Sequence, residues 1–198
     1  MSPITHLLLS WSAASTFAFN KKDRALVTVA GVAPDIDGLG LLWDLTSYQT
    51  GQPLVLWIRF HHVLGHNITF GVILAMVTFM LATRRVAASV GVLCIFHLHL
   101  FCDLLGARAP DEFWSIPYLL PFSHSWNLVW SKQWPLNSWQ NFVITLGAIT
   151  FVFYQGRKRG ISPLELVSHR ANDSFVSAIR ARFGSPYKKR DYPGSELS

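Results

Sequence analysis

The stretch GVLCIFHLHLFCDLL, residues 91–105, is apolar except for His97, His99 and Asp103. His99 and Asp103 are four residues apart, so on a helix they share one face about one turn from each other. Imidazole and carboxylate groups are both common metal ligands. An ionisable side chain inside a hydrophobic span is costly unless it is paired, ligated or hydrated. These residues therefore indicate a functional site within an apolar helix.

The composition of the chain is typical of a membrane protein. Its 198 residues are 51% hydrophobic and only 14% charged, whereas soluble domains carry about 25% charged residues. The net charge is +6, and basic clusters lie beside apolar segments at residues 21–24, 84–85 and 157–159. Such clusters are typical of cytoplasmic anchors rather than of a nucleic-acid surface. We expect the lipid bilayer as a partner and no nucleic-acid binding.

The apolar segments predict an all-α fold, a polytopic bundle of membrane helices within one domain over residues 1–160. Gly31 and Pro34 interrupt the second apolar segment, and they should break the helix and place Asp35 and Asp37 in a hydrophobic region. The Trp- and Pro-rich connection over residues 106–138 is typical of an interfacial loop. The predicted spans are residues 4–19, 25–42, 68–83, 86–105 and 139–154.

Residues 161–198 form a second region of different character. Ser162-Pro-Leu-Glu165 is a capping box with Pro at the first helical position, and it predicts the start of an amphipathic helix on the cytoplasmic surface. A disordered basic tail is expected after this helix. The apolar face of the helix is predicted to contain Leu164, Val167, Ala171, Phe175, Ile179 and Phe183.

The basic clusters also predict an orientation, and with it the depth of each polar side chain. With the clusters and the C-terminus in the cytoplasm, and about 1.5 Å of rise per helical residue, the side chains of separate spans reach one level in the outer half of the bilayer. Incidental core histidines would be scattered in depth, so a shared level favours a metal site. The residues at this level are His6, Asp35, His66, His99 and Asp103.

The donors in this region outnumber the ligands of one tetrahedral ion. Either more than one metal binds, or some of these residues support the ligands. Imidazole and carboxylate donors suit Zn²⁺, with Mn²⁺ or Fe²⁺ as alternatives. The candidates are His6, Asp35, Asp37, His61, His62, His66, His97, His99 and Asp103.

The order of these motifs resembles a known family. Thr5-His6, Pro34-Asp-Ile-Asp37, a histidine pair at His61 and His66, His99-x-x-x-Asp103 and Pro121-Phe-Ser123 look like the YdjM-like membrane-bound metal-dependent hydrolases. That family is similar in its motifs to zinc-dependent phospholipase C and related zinc nucleases. The resemblance implies a multi-pass protein of the cell inner membrane that holds one to three metal ions. The metal positions that it implies are His6, Asp35, His61, His66, His99 and Asp103.

The middle motif departs from the family pattern His-Arg-Gly-x-Thr-His. Here it is His61-His-Val-Leu-Gly-His66, without the Arg, Gly and Thr. The resemblance favours His61 as the ligand, whereas His62 is four residues from His66 and would share its face on a regular helix. Both alternatives are open at this stage.

These features predict hydrolysis of an ester by metal-activated water. The expected substrate is a phosphoester of a lipid or lipid-linked molecule, with Asp37 as general base. A non-enzymatic membrane protein that binds or conducts divalent metal is the alternative, and a soluble all-α hydrolase is a third interpretation. Each Asp could instead cap a helix after Pro34, and His97 is expected to be a hydrogen-bonded structural residue. His124 and His169 are expected to be ordinary loop or surface residues.

Overall fold

A computed structural model describes residues 1–39, 44, 63–108 and 113–186 of the chain. The described part is mostly helical, and its β-bridges are isolated ones, Arg108 with Pro135 and Ile116 with Leu128. The helical part of the predicted fold class is therefore correct. The helices are α1 (Pro3–Thr16), α2 (Lys21–Ala30), a first 3-10 helix (Ala33–Leu39), α3 (Ile68–Leu81), α4 (Arg85–Gly106), α5 (Trp139–Arg159), a second 3-10 helix (Pro163–Leu166) and α6 (His169–Phe183).

One helix in these described ranges is long and apolar enough to cross a membrane. It is α4, with 22 residues, and it contains the stretch at residues 91–105. Helix α3 is also apolar but has 14 residues, fewer than the roughly 20 needed to span the hydrocarbon core. The predicted polytopic bundle therefore stays a prediction.

Residues 1–149 form the first of two compact units. In this unit α2 packs against both α1 and α4, and α3 packs along α4. The side chains of Ala14, Val27 and Val92 are fully buried in one cluster between these helices. Close van der Waals packing in this small core holds α1, α2 and α4 together.

A carboxylate from α2 binds the two backbone N–H groups that directly precede α4. Arg84 is the N-cap residue of this helix, and its side chain makes no capping hydrogen bond. Buried Asp23 accepts hydrogen bonds from Thr83 N at 2.7 Å and from Arg84 N at 2.9 Å. Asp23 therefore fixes where α4 begins relative to α2.

The predicted break after α2 is correct. Helix α2 ends at Ala30, and Gly31 N donates to the carbonyl oxygen of Thr28. A Cβ atom at Gly31 would lie 1.8 Å from Ser10 Oγ, so only glycine allows α1 to approach this closely. The first 3-10 helix follows at once and contains Asp35 and Asp37.

The loop before α5 is fixed by hydrogen bonds. The backbones of Ile116 and Leu128 pair in both directions, and the side chain of Gln133 both accepts from and donates to the backbone of Trp114. The loop is also tied to α3, because Ile68 N donates to the carbonyl oxygen of Tyr118 at 2.8 Å. Several of its aromatic side chains are exposed, as an interfacial loop would have them.

The second unit covers residues 150–198, described as far as residue 186. Here the predicted start of the amphipathic helix is wrong. Ser162 makes no capping hydrogen bond and is followed only by the short second 3-10 helix. Ser168 caps α6 instead by accepting from Ala171 N, because Ser162 Oγ is used in a hydrogen bond to Asn172 Oδ1.

The predicted apolar face of that helix is correct only in part. Ile179 is buried, but Val167 is 88% exposed and Phe183 is 57% exposed. Val167 lies between the two helices, so the periodicity expected of one continuous helix does not apply to it. The predicted domain boundary at residue 160 stays a prediction.

Candidate metal centre

The centre is built on α4, where His99 and Asp103 share a buried face. His99 Nε2 lies 3.1 Å from Asp103 Oδ2, as expected for side chains one helical turn apart. Both residues are 1% exposed. The apolar neighbours of this helix therefore enclose a polar pair.

His6 reaches the same pair from α1. Ser2 and Pro3 start α1 with a side-chain cap and a proline in the first turn, as is common at helix N-termini. One turn later, His6 Nε2 lies 3.0 Å from Asp103 Oδ1. The ring centroids of His6 and His99 are 3.9 Å apart. The α-amino group of Met1 also contacts Asp103 Oδ1.

Asp35 completes a group of four donors from three elements. Its Oδ1 lies 3.8 Å from His99 Nε2, and its side chain is 14% exposed. One ligand atom from each of His6, Asp35, His99 and Asp103 lies within 4.8 Å of the others. This group could hold a metal ion.

His66 lies at the edge of the group, just before α3. Its Nε2 is 3.1 Å from His99 Nε2 and 3.4 Å from Asp103 Oδ2. Its Nδ1 is 3.0 Å from Asp37 Oδ2, which also accepts a hydrogen bond from Gly65 N. The loop at residues 63–67 is held to α3 by Asn67, whose side chain accepts from Phe70 N and donates to two carbonyl oxygens of that loop.

The hydrogen bonds at Nδ1 determine which ring nitrogens face the centre. His99 Nδ1 lies 2.9 Å from the carbonyl oxygen of Gly31, and a carbonyl can only accept, so this nitrogen carries the proton. Asp37 Oδ2 accepts from His66 Nδ1 in the same way, so this nitrogen also carries a proton. A neutral His99 ring then presents a lone pair at Nε2, 3.1 Å from His66 Nε2 and beside the carboxylate of Asp103.

This arrangement fits a cation. The lone pair of His99 and the carboxylates of Asp35 and Asp103 repel one another unless positive charge lies near them, and a metal-ligating histidine commonly donates its other N–H to a carboxylate or carbonyl. In addition, Asp35 Oδ2 is buried and makes no hydrogen bond to the described residues. The residues present therefore fit a divalent metal held by nitrogen and oxygen donors.

The protonation of His66 reflects the same environment. Burial alone would lower the pKa of His66, but the carboxylates of Asp103 and Asp37 outweigh it and raise this pKa to about 9. A carboxylate-rich site that stabilises a positive imidazolium also stabilises a bound cation.

The other histidines lie apart from the centre or outside the described residues. His97 is exposed and hydrogen-bonds to the Leu93 carbonyl and the Tyr118 hydroxyl, the structural role expected of it. His124 and His169 are exposed. His61 and His62 lie outside the described residues, so the choice between them stays open.

Sequence reasoning missed the carbonyl oxygen of Gly31 as the partner of His99. A backbone acceptor has no side-chain signal, and the glycine indicated only a break in the helix. The position of Gly31 one residue after α2, facing α1 and α4, could be found only from the packing of these helices.

The fold and the site define a class of protein, a helical protein with one candidate membrane helix among its described residues and a buried histidine and aspartate cluster. A search of curated proteins and one of solved structures found no match. The chain belongs to the YdjM inner membrane protein family, because the model of that family matches residues 1–170. The expected inner-membrane location agrees with this family.

Proposed function

We propose that this protein is a membrane-bound, metal-dependent hydrolase that cleaves a phosphoester of a lipid or lipid-linked molecule. The observation that carries the proposal is the convergence of four buried or nearly buried donors from α1, α4 and the first 3-10 helix. The motif resemblance to zinc-dependent phospholipase C supports the reaction class. Multiple crossings and a cytoplasmic C-terminus belong to the same proposal.

The donor set would hold Zn²⁺, or alternatively Mn²⁺ or Fe²⁺. His6, Asp35, His99 and Asp103 would be the ligands, with His66 and, by resemblance, His61 available for a further ion. When bound, such ions supply an activated water and a Lewis acid for a phosphoryl oxygen.

The residues around the ligands control access to the centre. Asp35 is the most exposed of the four donors, and Ile36 beside it is 60% exposed. A substrate therefore approaches on the side of the first 3-10 helix, where an apolar side chain stands beside the ligand. An apolar approach suits a lipid molecule better than a soluble sugar phosphate.

Asp37 is the general base in the sequence-based prediction, and this role stays a prediction. Its Oδ2 accepts the hydrogen bond from His66 Nδ1, so it also has a positioning contact. Among the described residues no Ser-His or Cys-His pair lies at the centre, which favours attack by water over a covalent enzyme intermediate.

Turnover tests this function. Detergent-purified protein is incubated with a panel of phospholipids and lipid-linked phosphates, and released phosphate or phosphorylated headgroup is measured. We expect activity in the wild type and His97→Ala but not in His99→Ala. Bound metal with no turnover on any ester of the panel would instead support the non-enzymatic alternative, a protein that binds or conducts divalent metal.

A further inference from the structure

A groove runs along the start of α4, on the part of the molecule that the metal centre does not use. Its volume is about 410 Å³. The C-terminal end of α1 and the following turn form one wall, and one face of α4 forms the other. The main lining residues are Phe17, Phe19, Arg84, Ala87, Val90 and Cys94.

The groove is apolar except at one end. Val90 and Phe17 are each 54% exposed, so apolar side chains line a groove that is open to the surface. Arg84 stands at the N-cap of α4 and is also exposed. Asp23 contacts Arg84 only at its backbone N–H, and the guanidinium has no hydrogen bond or ion pair within the described part of the chain.

The length of the groove matches one leaflet of a bilayer. Arg84 and Cys94 are ten residues apart, which is about 15 Å along a helix. The hydrocarbon core of a bilayer is about 30 Å thick. When Arg84 lies at the headgroup level, the groove therefore extends to the middle of the bilayer. The unpaired guanidinium of Arg84 at that level is complementary to an anionic headgroup. The apolar groove below it is complementary to an acyl chain.

We propose that this groove binds one anionic phospholipid, with its phosphate on Arg84 and an acyl chain along Ala87 and Val90 towards Cys94. This site is separate from the proposed hydrolytic centre and does not depend on it. Arg85 provides a matched control, because its guanidinium lies over the ring of Phe79, 5.9 Å from the ring centroid, outside the groove.

Fluorescence quenching tests the site. Cys94 is exposed and Cys102 is buried, so a bimane label attaches at Cys94. The full chain is reconstituted in phosphatidylcholine vesicles that contain equal fractions of chain-spin-labelled phosphatidylglycerol or phosphatidylcholine. We expect phosphatidylglycerol to associate about fivefold more strongly than phosphatidylcholine. This is the preference expected from the attraction of one Arg to an anionic lipid at the membrane surface.

Three variants separate the groove from general surface charge. Arg84→Gln should remove the preference, Arg85→Gln should retain it, and Ala87→Phe should fill the groove and reduce quenching by both lipids. Equal quenching by the two lipids in the wild type overturns the proposal. So does a preference that survives in Ala87→Phe, or one that is lost as fully in Arg85→Gln as in Arg84→Gln.

Discussion

Asp37 and the carbonyl of Gly31 have the same function at two different histidines. Each accepts a hydrogen bond from Nδ1, of His66 and His99 respectively, and so directs Nε2 of that ring at the centre. Such contacts orient a metal ligand and raise its basicity. At the scale of single residues, the site therefore depends on groups that do not themselves reach the metal position.

The first prediction concerns Asp37. Asp37→Ala should weaken the affinity for the further ion assigned to His66 by about 10–100-fold, because His66 loses the acceptor that fixes its ring. Competition with a chromogenic chelator measures the affinity, and phosphoester turnover is measured on the same samples. Loss of turnover with unchanged metal affinity would show instead that Asp37 acts on water or substrate and not through His66.

The second prediction concerns Gly31. Gly31→Ala should cost about 1–3 kcal/mol, as expected for overpacking, because the new Cβ would lie 1.8 Å from Ser10 Oγ. Thermal unfolding in detergent measures the effect. Gly147→Ala is the matched control: nothing lies within 4 Å of a Cβ there, so this helical substitution should be neutral or stabilising. Equal effects of both substitutions would contradict the close approach at Gly31.

At this scale the sequence was most informative about charged side chains. His6, Asp35, His66, His99 and Asp103 were predictable because an ionisable group in an apolar segment requires an explanation, and the structure brings all five together. The Gly31 carbonyl was not predictable, since every residue has one and only tertiary packing selects this one.

Secondary-structure elements position the centre through their ends. Asp23 caps the start of α4, and at its other end Asn141 Nδ2 donates to the carbonyl oxygen of Gly106 at 2.9 Å. A Cβ at Gly106 would lie 2.5 Å from Asn141 Oδ1. Helix α4 is thus fixed at both ends by side chains of other helices, and His99 and Asp103 are fixed with it.

The third prediction tests the cap at the start of α4. Asp23→Ala should lower the free energy of unfolding by about 1–3 kcal/mol, because the N–H groups of Thr83 and Arg84 lose their acceptor. The adjacent, exposed Lys22→Ala should change it by less than about 0.5 kcal/mol. Unfolding in detergent compares the two, and an unchanged stability of Asp23→Ala would show that the cap contributes nothing.

The sequence predicted these elements unevenly. The break at Gly31 and Pro34 was correct because both residues restrict helices by local chemistry. The single helix expected from Ser162 was wrong because two serines compete as caps, and the hydrogen bond of Ser162 to Asn172 comes from a tertiary contact. Local patterns identify possible helix starts, and packing selects among them.

At the scale of the whole molecule, the metal should contribute to stability. A ligand that binds only the folded state adds about 2.7 kcal/mol at 100 times its Kd. The fourth prediction is therefore that a chelator lowers the Tm of the purified wild type, and that added Zn²⁺ restores it. His99→Ala should show neither response, and a chelator effect of equal size in that variant would place the stabilising metal elsewhere.

Composition predicted the environment of the molecule better than its topology. The low charged fraction and the apolar stretch at residues 91–105 agree with an inner membrane protein family. The number of crossings was not settled by the same signals. Among the described helices, only α4 is both long and apolar enough to span a membrane, because α2 and α3 are short and α5, although it has 21 residues, does not meet the apolar requirement.

The central claim is that these histidines and aspartates hold a metal, and elemental analysis tests it most directly. Wild-type protein, Asp103→Ala and the control His97→Ala are purified in detergent without chelator, and bound metal per chain is measured. We predict at least about one divalent ion per chain in the wild type and in His97→Ala, and little in Asp103→Ala. Wild-type protein that is free of metal under these conditions would contradict the claim.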